Sequence, residues 1–292
     1  MKMLQAISSR EMYSFFCVGV LGLFLLIGCK DMGEQVGMSK SSISDISSHQ
    51  WDRLSEQNIY FGHQSVGSNI LDGIKQLMKD NPHIKLNILE TSNSEDFGTG
   101  VFAHARIGKN KVPNSKISAF ANSLENGVAD KCDIVFMKFC YVDIDSSSDV
   151  EKIFFDYKEM FVSLKKKYPE VQFVHMTMPV TTVQTGPKAW IKKILGKPVG
   201  GENENVMRSQ YNTLLDKQYK GREPIFDIAT VEATEKNGHL KTFSHKGKEY
   251  LQLAPEYTDD GGHLNNNGRR IVAEKLLVFL VDLVERQEFS VK

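Results

Sequence analysis

The sequence has no excess of charge in either sign: 36 Lys and Arg stand against 36 Asp and Glu, a formal net charge of zero. The two signs are interspersed, so the electrostatic footprint that a nucleic-acid partner requires is missing. A continuous apolar stretch of about 20 residues, the length that spans a bilayer, is missing too. Cysteine is scarce, at four residues: Cys17, Cys29, Cys132 and Cys140. None belongs to a CxxC pair and no His/Cys cluster has zinc-ligand spacing, so nothing in the cysteine pattern suggests zinc, and no cofactor is expected. No internal repeat or second domain is visible. What is present is 292 residues with an ordinary 41% hydrophobic content, enough for one sizeable α/β domain or two small ones.

The N-terminal segment reads as a targeting signal. Lys2 and Arg10 precede an apolar run from Phe15 to Ile27, followed by Gly28-Cys29. That run has the dimensions of a signal-peptide core. The stretch "LIGC", Leu26 to Cys29, resembles the lipobox of bacterial lipoproteins, which implies cleavage before Cys29 and diacylglycerol on its sulfur. An uncleaved membrane anchor is the alternative. Either way the chain is expected in the bacterial cell envelope, tethered to a membrane and facing the extracytoplasmic side. The expected organisation is 1–28 signal, 29–48 flexible tether rich in serine, and 49–292 a single domain. Cys132 and Cys140 then remain in the body. They flank the strand candidate "DIVFMKF", which at about 3.3 Å per residue holds them about 26 Å apart, too far for a disulfide.

Hydrophobic periodicity orders the rest. Strands are expected at "NIYF", "IKLNILE" (84–90), "DIVFMKF" (133–139), "VQFVHMTM" (171–178) and "PIFDIA" (224–229). Helices are expected at about 47–57, from Val66 to Met78, after Pro113, from Val150 to Leu164, over about 204–219, and from about Asn266 to Glu285. Residues 91–112 and 180–203 read as loops, and 230–262 as irregular with a short hairpin. Strands alternating with helices five times predict an α/β fold: a three-layer α/β/α sandwich with a mainly parallel sheet. Ligands of such sheets gather at the carboxyl ends of the strands.

Ser65, in "GHQSVG", sits where the first strand gives way to a helix. A serine there serves as a helix cap or as a nucleophile, and as a nucleophile it needs a base. The segment "TDDGGHLNNNG" (258–268), just before the last helix, offers one. Asp260 can curl back through Gly261-Gly262 to the Nδ1 of His263, leaving Nε2 to face a serine. Asp259 is the alternative partner, and a plain Asp-Gly-Gly turn the simpler reading.

With these residues the chain resembles the SGNH (GDSL-type) hydrolases over most of 57–286, on few specific positions. The resemblance implies a flavodoxin-like sandwich with Ser65 as nucleophile, His263 as base then acid, and Asp260 as its orienter, with no metal. It further implies an oxyanion hole made by the N–H of Ser65 and a glycine N–H, for which Gly108 is the candidate and Gly100 its rival. The family's asparagine would fall on Val142 of "CYVD", which has no side-chain donor, and Gln64 replaces the usual Asp before the serine. Tyr141, Asn110 or a backbone N–H are the candidate substitutes. His63, Gln64, Asn110 and Tyr141 are candidate substrate contacts, while a structural role is an equal reading for His63. The expected activity is removal of a small acyl group, such as acetyl, from a glycan or similar ester. The alternatives are acyl transfer by the same residues, or a non-catalytic glycan- or partner-binding lipoprotein.

Overall fold

The computed structural model describes residues 42–291; the signal and Cys29 lie outside the described residues. The folded body begins earlier than the sequence reading placed it. Ser42 caps a short 3-10 turn, Ile43–Asp45, and its hydroxyl donates to Glu274 at 2.9 Å. Ile46 is buried in the core. Residues 42–48 therefore belong to the domain and not to a tether. Ser47 and Gln50 then form a capping box at the start of α1 (Ser48–Ser55), each satisfying an orphan backbone N–H.

Six parallel strands follow: β1 (Ile59–His63), β2 (Asn87–Glu90), β3 (Val101–Arg106), β4 (Ile134–Met137), β5 (Gln172–Met176) and β6 (Ile225–Phe226). Their spatial order is β2-β3-β1-β4-β5-β6. Without the mostly exposed edge strand β2, this is the doubly wound order 2-1-3-4-5. Successive residues face opposite layers, as the strand period demands. Ile59 and Phe61 enter one core, Tyr60 the other.

The first core is closed by α1, α2 (Ser65–Asp80), α7 (Ile228–Ala233) and α8 (Asn266–Val291), the second by α3 (Pro113–Ser123), α4 (Val150–Lys167) and α6 (Glu202–Tyr219). A short helix α5 (Pro187–Ile194) and an antiparallel hairpin of β7 (Thr242–His245) and β8 (Lys248–Leu251) complete the chain. The hairpin lies within the stretch where one was expected.

Three expectations need correction. Residues 91–112 are not all loop, because "VFAHAR" is β3, inserted between β2 and β1. Its two polar members and the flanking glycines hide a strand that tertiary pairing enforces. The strand read at 224–229 is only Ile225–Phe226, since Asp227 accepts the N–H of Thr230 and starts α7. The excursion at 180–203 contains α5. Cys132 and Cys140 are both buried free thiols at opposite ends of β4.

Candidate active site

In a sheet of this order the chain leaves in opposite directions on either side of β1 and β4, opening a crevice at their carboxyl ends. Ser65 follows β1 and Tyr141 follows β4, so the two stand on the walls of that crevice. The helix-cap reading of Ser65 does not hold. Gln64 occupies the N-cap position, and the Ser65 hydroxyl faces His263 Nε2 at 3.1 Å and Cys140 Sγ at 3.9 Å.

The turn before α8 supplies the histidine. Asp260 Oδ2 lies 2.7 Å from His263 Nδ1, while Oδ1 accepts the N–H groups of Gly262 (2.9 Å) and His263 (2.8 Å). Partial burial would raise the Asp260 carboxyl. The bonds from the His263 ring and the two N–H groups outweigh it and hold Asp260 well below the usual carboxylate range. With Nδ1–H given to a carboxylate, Nε2 presents its lone pair to the serine. Asp259 is occupied elsewhere, accepting from Asn265 at 3.2 Å. Half-exposed, at 42% and 57%, the His263 and Asp260 side chains border an open cleft of about 410 Å³ lined also by Asp259, Asn265, Asn266, Asn267 and Arg269.

Several side chains support the histidine, among them Tyr141, read above as a candidate site residue, and others on distant elements. Tyr141 packs edge-on against the His263 ring, its hydroxyl 3.3 Å from Nδ1. A Cβ on Gly262 would meet the Tyr141 ring at 2.6 Å, so a glycine is required for that contact. Arg208, buried on α6, donates to the Tyr141 carbonyl at 2.8 Å and to Thr181 and Asn205. Thr182 donates its N–H to Gly261 at 2.9 Å, and Asn69 of α2 accepts the Leu264 N–H at 3.2 Å. The segment 178–182, which follows β5, thus braces the histidine turn through Thr182. Lone polar residues on long helices gave no signal of these roles.

The other wall is held by Asp143. Its carboxylate accepts the N–H groups of Cys140 (2.6 Å) and Lys111 (2.9 Å) and pairs with Lys116 at zero side-chain exposure for both partners. Lys116 also donates to Asn110 Oδ1 at 2.9 Å, which turns the exposed Asn110 amide by its oxygen. Val142, between Tyr141 and Asp143, brings no donor. Gln64 Nε2 donates to the carbonyls of Ile107 and Gly108, both at 2.9 Å, so the Gly108 loop is tied to the residue before the serine. Gly108 has φ +56°, and a Cβ there would lie 2.5 Å from the Lys116 nitrogen. Gly100 stands at the start of β3, at the opposite end of the sheet, packed on the Ser55 carbonyl.

His63 is corrected outright as a substrate contact: it is 1% exposed. Its Nδ1 bonds the Gln64 carbonyl at 2.7 Å and its Nε2 meets His104 Nδ1 at 3.1 Å. Burial drives its imidazole down to about 3, against about 6.5 in an unfolded chain. A folded value below the unfolded one means that this stability is whole above pH ~6.5 and drains away as pH falls towards 3. His104 and His175, lowered by burial as well, act in the same sense. Urea unfolding near pH 7 and near pH 4 should therefore differ by about 3 kcal/mol on account of His63. His63→Asn should flatten that dependence, and an unchanged slope would acquit His63.

No family model matches the sequence, and no curated protein matches it. Solved structures similar to this chain include a Streptococcus pneumonia protein provisionally described as a platelet activating factor (15% identity, 80% of this chain and 90% of that one, TM-score 0.44). Another is a Desulfitobacterium hafniense protein provisionally placed among G-D-S-L lipolytic proteins (10% identity, 76% and 99%, TM-score 0.43). A third is the periplasmic domain of a lipopolysaccharide acetyltransferase from Salmonella ser. Paratyphi A (11% identity, 74% and 80%, TM-score 0.38). Scores and identities this low assign no activity, and the chemistry rests on the site's own geometry.

Proposed function

We propose that the protein is a serine-dependent acyl hydrolase or acyltransferase of SGNH type, acting on a small acyl ester of a glycan or similar polyol. The observation that carries this reading is the unbroken contact chain from Asp260 to His263 to Ser65, at 2.7 and 3.1 Å. In the proposed reaction His263 Nε2 takes the Ser65 proton as Oγ attacks the ester carbonyl carbon. The N–H groups of Ser65 and Gly108 hold the oxyanion, and Tyr141, Asn110 or a further backbone N–H takes the place of the donor that Val142 lacks. His263 then protonates the leaving alkoxide, and an acyl-serine remains. Water, or a second sugar hydroxyl, attacks that acyl-serine through the same base.

The substrate class is supported by the open, polar surroundings of the half-exposed His263 and Asp260, which suit a hydroxyl-rich alcohol. Cys140 Sγ, 3.9 Å from the Ser65 hydroxyl, limits the room beside the nucleophile and favours a small group there. The proposal also keeps the chain at the bacterial cell envelope through lipidated Cys29, which lies outside the described residues. The test is labelling by a fluorophosphonate together with p-nitrophenyl acetate turnover. Both are expected in the wild type and absent from Ser65→Ala; equal signals from the two proteins would sink the proposal and favour a binding protein with no chemistry.

A further inference from the structure

Helix α5 is apolar on the wrong side. Its inner face is seated on a small separate core of Ala189, Val183, Val199 and Phe243. Its outer face nevertheless carries Trp190 (66% exposed), Ile191 (50%), Ile194 (62%) and Leu195 (60%). The spacing i, i+1, i+4, i+5 makes them one contiguous stripe. Four of the nine exposed large hydrophobics of the described chain are gathered in these six residues, so the stripe is not the usual scatter of surface apolar groups.

The charge around the stripe identifies its partner. Lys188, Lys192, Lys193 and Lys197 flank it, and residues 185–201 contain no Asp or Glu, although the chain as a whole is neutral. The acid nearest in contact is Glu202, 3.8 Å from Lys193, and it is already engaged by His245 at 2.8 Å. A protein partner would have to match four lysines and four apolar groups at once. An anionic lipid surface does so without any specific shape, taking Trp, Ile and Leu into the acyl boundary and the lysines at the headgroups. A tryptophan at that depth has its preferred setting. Eight residues are too short to cross the bilayer. We infer that α5 is an interfacial element that docks the domain onto an anionic bilayer, through Trp190, Ile191, Ile194 and Leu195 with the flanking lysines. This docking is independent of the acyl chemistry and of any anchor at Cys29.

The consequence for geometry is direct. The segment carrying α5 leaves β5 through Thr181 and Thr182, and Thr182 is bonded to Gly261 of the histidine turn. Docking through α5 therefore acts on a segment that is tied by one backbone hydrogen bond to the histidine turn.

Trp190 is its own probe, because the second tryptophan, Trp51, is 1% exposed. The purified full chain is mixed with phosphatidylcholine vesicles, with or without about a third phosphatidylglycerol. The emission is expected to shift to shorter wavelength with the anionic vesicles and to be quenched by lipids brominated on their acyl chains. The lipid-dependent signal should vanish in Trp190→Phe. Lys188→Glu/Lys192→Glu/Lys193→Glu should weaken the lipid partitioning about tenfold or more, and raised salt should weaken it in the wild type. Trp51 emission and turnover of a soluble ester, unchanged in these variants, certify that they fold. No lipid-dependent change in either vesicle would overturn the inference. So would an equal shift with neutral vesicles that survives charge reversal, and so would a lipid-free shift that grows with protein concentration, which would assign the stripe to a second copy of the chain.

Discussion

Asp260→Asn is expected to lower ester turnover about 10⁴-fold while leaving the fold intact. Asp260 does two jobs with two oxygens. Oδ1 accepts the N–H groups of Gly262 and His263, and an asparagine oxygen can keep both. Oδ2 accepts the His263 Nδ1–H at 2.7 Å, and there the asparagine offers an NH₂ instead. The imidazole must answer with an unprotonated Nδ1, which moves its proton to Nε2. A protonated Nε2 has no lone pair for the Ser65 hydroxyl, so the serine loses its base without losing its position. The measurement is kcat for p-nitrophenyl acetate beside the urea midpoint of the same protein. A large drop in kcat with a midpoint near wild type is the expected pair of results. Turnover within a few-fold of wild type would remove Asp260 from the mechanism.

The second large effect concerns folding. Asp143→Ala should cost about 3–5 kcal/mol of stability, because it leaves the Lys116 ammonium uncompensated in a fully buried setting. It also strips the acceptor from the N–H groups of Cys140 and Lys111. Replacing both partners, as Asp143→Leu with Lys116→Met, removes the orphan charge and should recover a substantial part of the loss. Denaturant unfolding of the two variants decides it. A double variant no more stable than Asp143→Ala would mean that the backbone bonds, not the charge, dominate. In either variant the turn Tyr141–Asp143 loses its anchor, so turnover should fall as well.

How much of this was legible depended on sequence distance. Asp260 and His263 are three residues apart across two glycines, and their contact is local enough to read from spacing. Ser65 was legible by position, at the seam of a strand and a helix. Its pairing with His263 spans 198 residues, and only the alternating architecture made that juxtaposition foreseeable. Arg208, Lys116 and Asn69 gave no local sign, because each acts on a backbone or carboxyl group far along the chain. His63 was misleading for the opposite reason. Adjacency to the serine suggested the pocket, but strand alternation turns its side chain into the interior. The strand β3 was hidden because its pattern is set by its two neighbours rather than by its own composition.

The residue before the serine has a mechanical meaning. A single Gln64 amide nitrogen spans the carbonyls of Ile107 and Gly108, and Gln64 is itself joined to Ser65 by one peptide bond. The loop after β3 and the first turn of α2 are thereby coupled like two jaws on one bracket. The two hydrogen bonds of that amide resist separation of the loop from the helix start. Cutting that bracket, as Gln64→Ala would, frees the loop after β3 from the serine turn without touching either backbone.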